Sequence, residues 1–138
     1  MASKLLNLAH KNGVFIEFYD FNSSIEGLYM KLPDTPPIIG ISKKLFVNYA
    51  HFRSVFAHEL GHHFMSNRSS PNTLFHSPSL TINNCDEYKA WKWAAKYLIP
   101  EDKLISALNQ GINETWRLAE LFEVDEKVVK LRIDLLNK

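Results

Sequence analysis

Apolar residues in the first third of the chain come in short dense runs. From about Asn48 they recur at helical spacing instead. Ser3 to His10 predicts a short helix anchored by Leu5, Leu6 and Leu8, with Gly13 behind it. The run VFIEFYDF is dense in β-branched and aromatic residues and predicts a strand. IEGLYMKL predicts a second strand, broken off by PDTPP because proline cannot donate to a ladder. IIGI predicts a short third strand. A sheet of two or three strands needs helices packed on it to be stable.

On a wheel of 100° per residue, Phe52, Phe56, Leu60 and Phe64 form one apolar helical face. His58 and His62 lie together on its flank, on the side of Val55 and His51. Residues 66–83 are polar with two prolines and predict a long loop, a candidate lid. The next helix runs from about Cys85 to Ile99 and stops at Pro100, with Lys89, Lys92 and Lys96 on one solvated stripe. Glu101 to Asn109 predicts a further helix closed by Gly111. Asn113 and Asp125 are expected to cap two last helices. The expectation is a single α+β domain: helix and small sheet over 1–46, histidine helix over 47–65, loop over 66–83, glutamate helix over 84–100, and C-terminal helices over 101–138.

Composition narrows the function classes. A chain of 138 residues, 46% hydrophobic, is long enough for one real core. Charged residues make up 22% and nearly balance, for a net charge of +1, which gives no electrostatic case for nucleic acid or an anionic membrane. One cysteine, Cys85, allows no internal disulfide. The apolar patch in MASKLLNLAHKNG is too short for a signal-peptide core or a membrane span. The expectation is a soluble, cytoplasmic protein.

His58, Glu59, Leu60, Gly61 and His62 spell H-E-x-x-H. Four residues of helix rise ~6 Å and turn a little over once, so both imidazoles point to one side. Two ring nitrogens there can reach one tetrahedral zinc at about 2.0–2.1 Å each. Glu59 is positioned to take a proton from a water that zinc acidifies, which yields a nucleophile fit for a peptide carbonyl. Gly61 costs a helix about 1 kcal/mol relative to alanine, which points to another segment or a substrate approaching closely. His63 lies about 100° on and is expected to pack or hydrogen-bond rather than bind metal. The bland alternative is a partly buried, histidine-rich helix without metal.

A catalytic zinc wants a third protein ligand. The extension H-E-x-x-H-x-x-G-x-x-H needs glycine at 65 and histidine at 68, but Met65 and Arg68 stand there. Another arrangement takes a glutamate from a later helix, and Glu87 follows His62 by 25 residues. It shares a face with Ala90, Trp91, Ala94 and Leu98, away from the lysine stripe. A carboxylate aimed into a core is costly unless paired or bound to metal. Against this stands a capping box, with Asn84 as N-cap and Glu87 reaching back to it. Asp86, Cys85 and His76 are fallback ligands, and His76 could instead steady an oxyanion.

FAHELGHHF followed by EYKAWKWAAKYLIP resembles the ImmA/IrrE family of metallo-endopeptidases. The second stretch is similar to the family's E-x-x-A-x-x-F-A-x-x-L-L-x-P signature, at Glu87, Ala90, Trp93, Ala94, Tyr97, Leu98 and Pro100. GVFIEFYDF, EGLYMKL and PPIIGISKKL look like the strands ahead of the family's zinc helix, and LAELFEVDEKVVKLRI is similar to its tail. The resemblance implies a zincin-like fold with zinc on His58, His62 and Glu87 and with Glu59 as base. It also implies a protein substrate, a helix-turn-helix repressor of a phage or mobile element. One position departs: where the family often has Asn or Asp four residues after its ligand glutamate, this chain has Trp91. A hydrogen bond supporting a metal-binding histidine would then be missing or come from elsewhere, with Asn83 and Asn84 as candidates.

Two rival functions carry their own signatures. WRLAELFEVDEKVVKLRIDLLNK has the rhythm of a helix-turn-helix, with Lys127, Lys130 and Arg132 on its second helix. Six apolar residues on that helix and acids around it argue against a DNA reader. The other rival is a non-catalytic partner-binding domain with a structural metal. Structural zinc sites normally close with four ligands, whereas here three stand beside a further carboxylate.

Overall fold

The structure, a computed structural model, describes residues 2–21, 24–65, 72–76 and 85–138, with 72–76 described as backbone. Helix α1 (Ser3–Lys11) leads into strand β1 (Phe15–Tyr19), followed by β2 (Gly27–Lys31) and β3 (Ile38–Ser42). A 3₁₀ turn at Lys43–Val47 delivers the chain to α2 (Tyr49–Met65). Strand β4 (Asn72–His76), then α3 (Cys85–Leu98), α4 (Glu101–Asn109), α5 (Thr115–Phe122) and α6 (Glu126–Leu136) complete the order. The fold is α+β, as the sequence predicts.

The four strands lie in the order β1-β3-β2-β4. β1 runs parallel to β3, whereas β2 is antiparallel to both β3 and β4. β4 corrects one expectation: residues 66–83 hold a strand where only a loop is predicted. NTLFH lacks the clean alternation of a half-buried strand, and its strand state comes from pairing with β2, from Gly27↔His76 to Lys31↔Asn72. The rest of that expected loop lies outside the described residues.

Alternate positions of the sheet supply the core side. Tyr29, Ile39 and Ile41 are fully buried together with Phe56 and Leu60 of α2. Each such side chain contributes roughly 1.5–3 kcal/mol of burial free energy. Sheet on one side and α3 on the other bury α2 almost all round, including its polar residues Ser54, His58, Glu59, His62 and His63. Small residues let α3 come close: Ala57, Ala90, Ala94 and Ala95 are all fully buried.

The C-terminal helices lock onto α2 and α3. Arg53 Nη1 donates to the carbonyls of Phe122 and Glu123 at 2.5 and 2.9 Å, closing α5 where Glu123 turns left-handed (φ 55°). The Asp125 N–H donates to Ser54 Oγ at 2.9 Å. Two capping expectations change here. Glu114, not Asn113, is the residue before α5. Asp125 does precede α6 but makes no side-chain cap, because its carboxylate is taken by His51 at 2.6 Å. Arg132 is buried with its Nε donating to the Ile99 carbonyl at 2.7 Å, so a cation that a DNA reader would need on its exposed face is a tie between helices. No helix among the described residues is long and apolar enough to cross a membrane.

Candidate metal centre

His58 and His62 sit one turn apart on α2, and their imidazoles meet edge to face with centroids 4.7 Å apart. Their Nε2 atoms are 3.2 Å apart. Glu87, in the first turn of α3, closes the group: Oε1 is 2.6 Å from His62 Nε2 and Oε2 is 3.0 Å from His58 Nε2. One ligand atom from each of the three residues lies within 4.8 Å of the others. Two donors at about 2.0–2.1 Å from a tetrahedral ion stand roughly 3.3–3.4 Å apart. The histidine pair, at 3.2 Å, stands close to that separation, and two imidazoles with one carboxylate suit zinc. The residues therefore fit a metal ion. His58 and His62 are buried, and Glu87 keeps a side-chain exposure of 21%, so the group opens on one side.

Two close approaches make this convergence possible. A Cβ on Gly61 would overlap the carbonyl oxygen of Ala90 and stand 2.9 Å from its Cα. The segment expected to approach Gly61 is therefore the backbone of α3, three residues after Glu87. Gly27 of β2 is the second case: a Cβ there would overlap Glu59 Oε2 and lie 3.1 Å from Val55 Cγ1. Glu59 is fully buried, with Oε2 3.5 Å from His58 Nδ1. It thus stands beside the first histidine and beneath β2.

The other residues singled out in the sequence fall into place around this group. His63 is no part of it: its Nδ1 hydrogen-bonds the hydroxyl of buried Tyr29 at 3.0 Å. His76 pairs with Gly27 in the β2–β4 ladder, which sets its backbone opposite the glycine that lies against Glu59. Its side chain, like Asn83 and Asn84, lies outside the described residues. Cys85 and Asp86 are exposed at the start of α3, so Cys85 is not the small core residue a lone cysteine usually is.

Trp91 carries more than its sequence position suggested. Its ring lies against His58, 4.2 Å between centroids and 13° from parallel. His51, on the same face of α2 as His58 but two turns nearer its N-terminus, bridges two acids: Nε2 to Glu26 at 2.8 Å and Nδ1 to Asp125 at 2.6 Å. The Asp125 hydrogen bond above all, with help from Glu26 and against the effect of burial, raises its pKa from 6.5 to about 9. Sequence reasoning missed Gly27, although a glycine inside a strand is itself a sign of close approach.

A cleft of about 710 Å³ opens elsewhere, between α1, α2 and α4, with Tyr49, Arg53, Tyr97 and Lys103 in its walls. None of the metal-centre residues lines it.

The model of the IrrE N-terminal-like domain, peptidase family M78, matches residues 9–134. The chain belongs to the ImmA/IrrE peptidase family. That match spans β1 through nearly all of α6, so in this family member the histidine helix, the glutamate helix and the sheet belong to one matched domain. No curated protein matches the chain.

Proposed function

We propose that the protein is a zinc-dependent endopeptidase that hydrolyses a peptide bond in a protein substrate. The observation that carries this is the convergence of His58, His62 and Glu87, with the carboxylate of Glu59 alongside. His58, His62 and Glu87 would hold the ion. Bound there, zinc supplies a Lewis acid that polarises a carbonyl and brings a water's pKa down to ~7. Glu59 takes the proton of the attacking water and returns it to the departing amine nitrogen. Its burial keeps that proton from bulk solvent during the transfer. His76 is the candidate donor to the carbonyl oxygen as charge gathers there, supported by its register opposite Gly27. The family resemblance directs the substrate proposal to a helix-turn-helix repressor of a phage or mobile element, and the site of action to the cytoplasm where such a repressor works.

The test is Glu59→Gln, with zinc content and cleavage of a helix-turn-helix repressor substrate measured together. Zinc should remain at wild-type stoichiometry while cleavage falls by roughly 10²–10⁴-fold, the usual worth of a general base. Cleavage at the wild-type rate would remove Glu59 from the mechanism.

A further inference from the structure

We infer that Trp91 is a positioning residue for the metal centre: its indole plane fixes the ring orientation of His58. The inference rests on the metallopeptidase reading above and adds a residue that reading does not use. An imidazole on a helix can spin about its terminal torsion, which is broad and without sharp wells. A ligand histidine must be held in one plane for its nitrogen to meet the ion, usually through a hydrogen bond at its other nitrogen. Here a flat surface is supplied as well. Trp91 and His58 stack 13° from parallel at 4.2 Å. Both are nearly inaccessible, with Trp91 at 6% and His58 at 2% exposure.

The placement of Trp91 on α3 gives the contact its consequence. Glu87 and Trp91 are one turn apart, so a single helix brings both the carboxylate and the plane on which His58 rests. The residue before Trp91 is Ala90, whose carbonyl lies so close to Gly61 of α2 that a Cβ there would overlap it. The indole therefore has little room to slide. Seating α3 on Gly61 sets the position of Glu87 and the ring angle of His58 together. A polar residue at 91 could offer one hydrogen bond, whereas the indole constrains the whole ring by dispersion and offset stacking.

The experiment compares zinc affinity, by competition with a chromophoric chelator, in the wild-type chain, Trp91→Phe, Trp91→Ala and Leu98→Ala. Leu98 is buried on the same helix but lies away from the cluster, so it reports the cost of merely loosening α3. The melting temperature of each metal-free protein is measured alongside. Trp91→Ala should bind zinc about 10- to 100-fold more weakly, the usual effect of losing a group that orients a ligand. Trp91→Phe, which keeps a plane, should recover most of that loss. Leu98→Ala should lose melting temperature with its zinc affinity within about threefold of wild type. With cobalt in place of zinc, the visible absorption of Trp91→Ala should broaden and shift, and that of Trp91→Phe should not. Equal zinc affinity in Trp91→Ala and wild type overturns the inference alone. Equal losses in Trp91→Ala and Leu98→Ala at matched stability overturn it too. A wild-type chain that binds no zinc overturns the metal centre itself, and this inference with it.

Discussion

Gly61 of α2 and Ala90 of α3 touch so closely that no side chain fits between them. This contact lies between the two helices that carry the metal-centre residues, and it sets how far Glu87 stands from His58 and His62. Gly61→Ala is the sharpest test of it. On an exposed helix the change would stabilise by about 1 kcal/mol. Here the neighbour is backbone and cannot swing aside, so α2 and α3 must part. A net loss of about 1–3 kcal/mol in a denaturant melt is expected, together with weaker zinc binding. A stability gain would show that the helices tolerate separation.

Gly27→Ala should behave differently, because its nearest neighbours are the ends of side chains. The added methyl displaces the Glu59 carboxylate rather than the backbone. Turnover should fall by roughly 10²-fold, in line with the cost of ~1 Å of misplacement. Zinc stoichiometry and the melt should stay close to wild type. Steady-state kinetics beside metal analysis would separate the two effects.

Removing the proposed zinc should expose how much of the fold leans on it. Two buried histidines and a carboxylate drawn into contact would lose a common partner under a chelator. Free zinc at about 100 times its dissociation constant contributes ~2.7 kcal/mol to the folded state. The melting temperature should therefore drop by several degrees on chelation and return when zinc is added back. Glu87→Ala should abolish most of that difference.

His51 predicts a pH effect outside the metal centre. Its folded pKa is raised from 6.5 to about 9 by Asp125 first and Glu26 second. A raised pKa means that the protonated form is favoured by folding. The contribution is complete below about pH 6.5 and is lost as pH rises through 9. The stability gap between wild type and His51→Gln should be widest near the lower value and should close above the upper one. Paired urea melts across that window measure it. A gap that stays constant with pH would show that His51 stabilises by packing alone.

The legible part of the site was local. His58, Glu59 and His62 are fixed by a spacing of four on one helix, and helix geometry needs no partner to put two imidazoles on one side. Glu87 was readable because a carboxylate on an apolar face lacks a cheap explanation in an amphipathic helix. The three N-terminal strands were readable from β-branched and aromatic density. β4 was not, because its strand state comes from pairing with β2 rather than from its own residues. Asp125 misled for a related reason: its local preference to cap lost to a long-range hydrogen bond from His51.

By itself the sequence determined the chemistry available: two imidazoles, a carboxylate one residue on, and another carboxylate on a later helix. It also determined that the chain alternates between strand and helix periods, because side-chain spacing along one element is set by local dihedral angles. Only the tertiary structure decided which groups meet. The sheet order, the glycine contacts at Gly27 and Gly61, the Trp91–His58 stack and the His51 bridge all join residues far apart in sequence. Such contacts follow from how closely packed surfaces can approach, and no periodicity along a single segment encodes that distance.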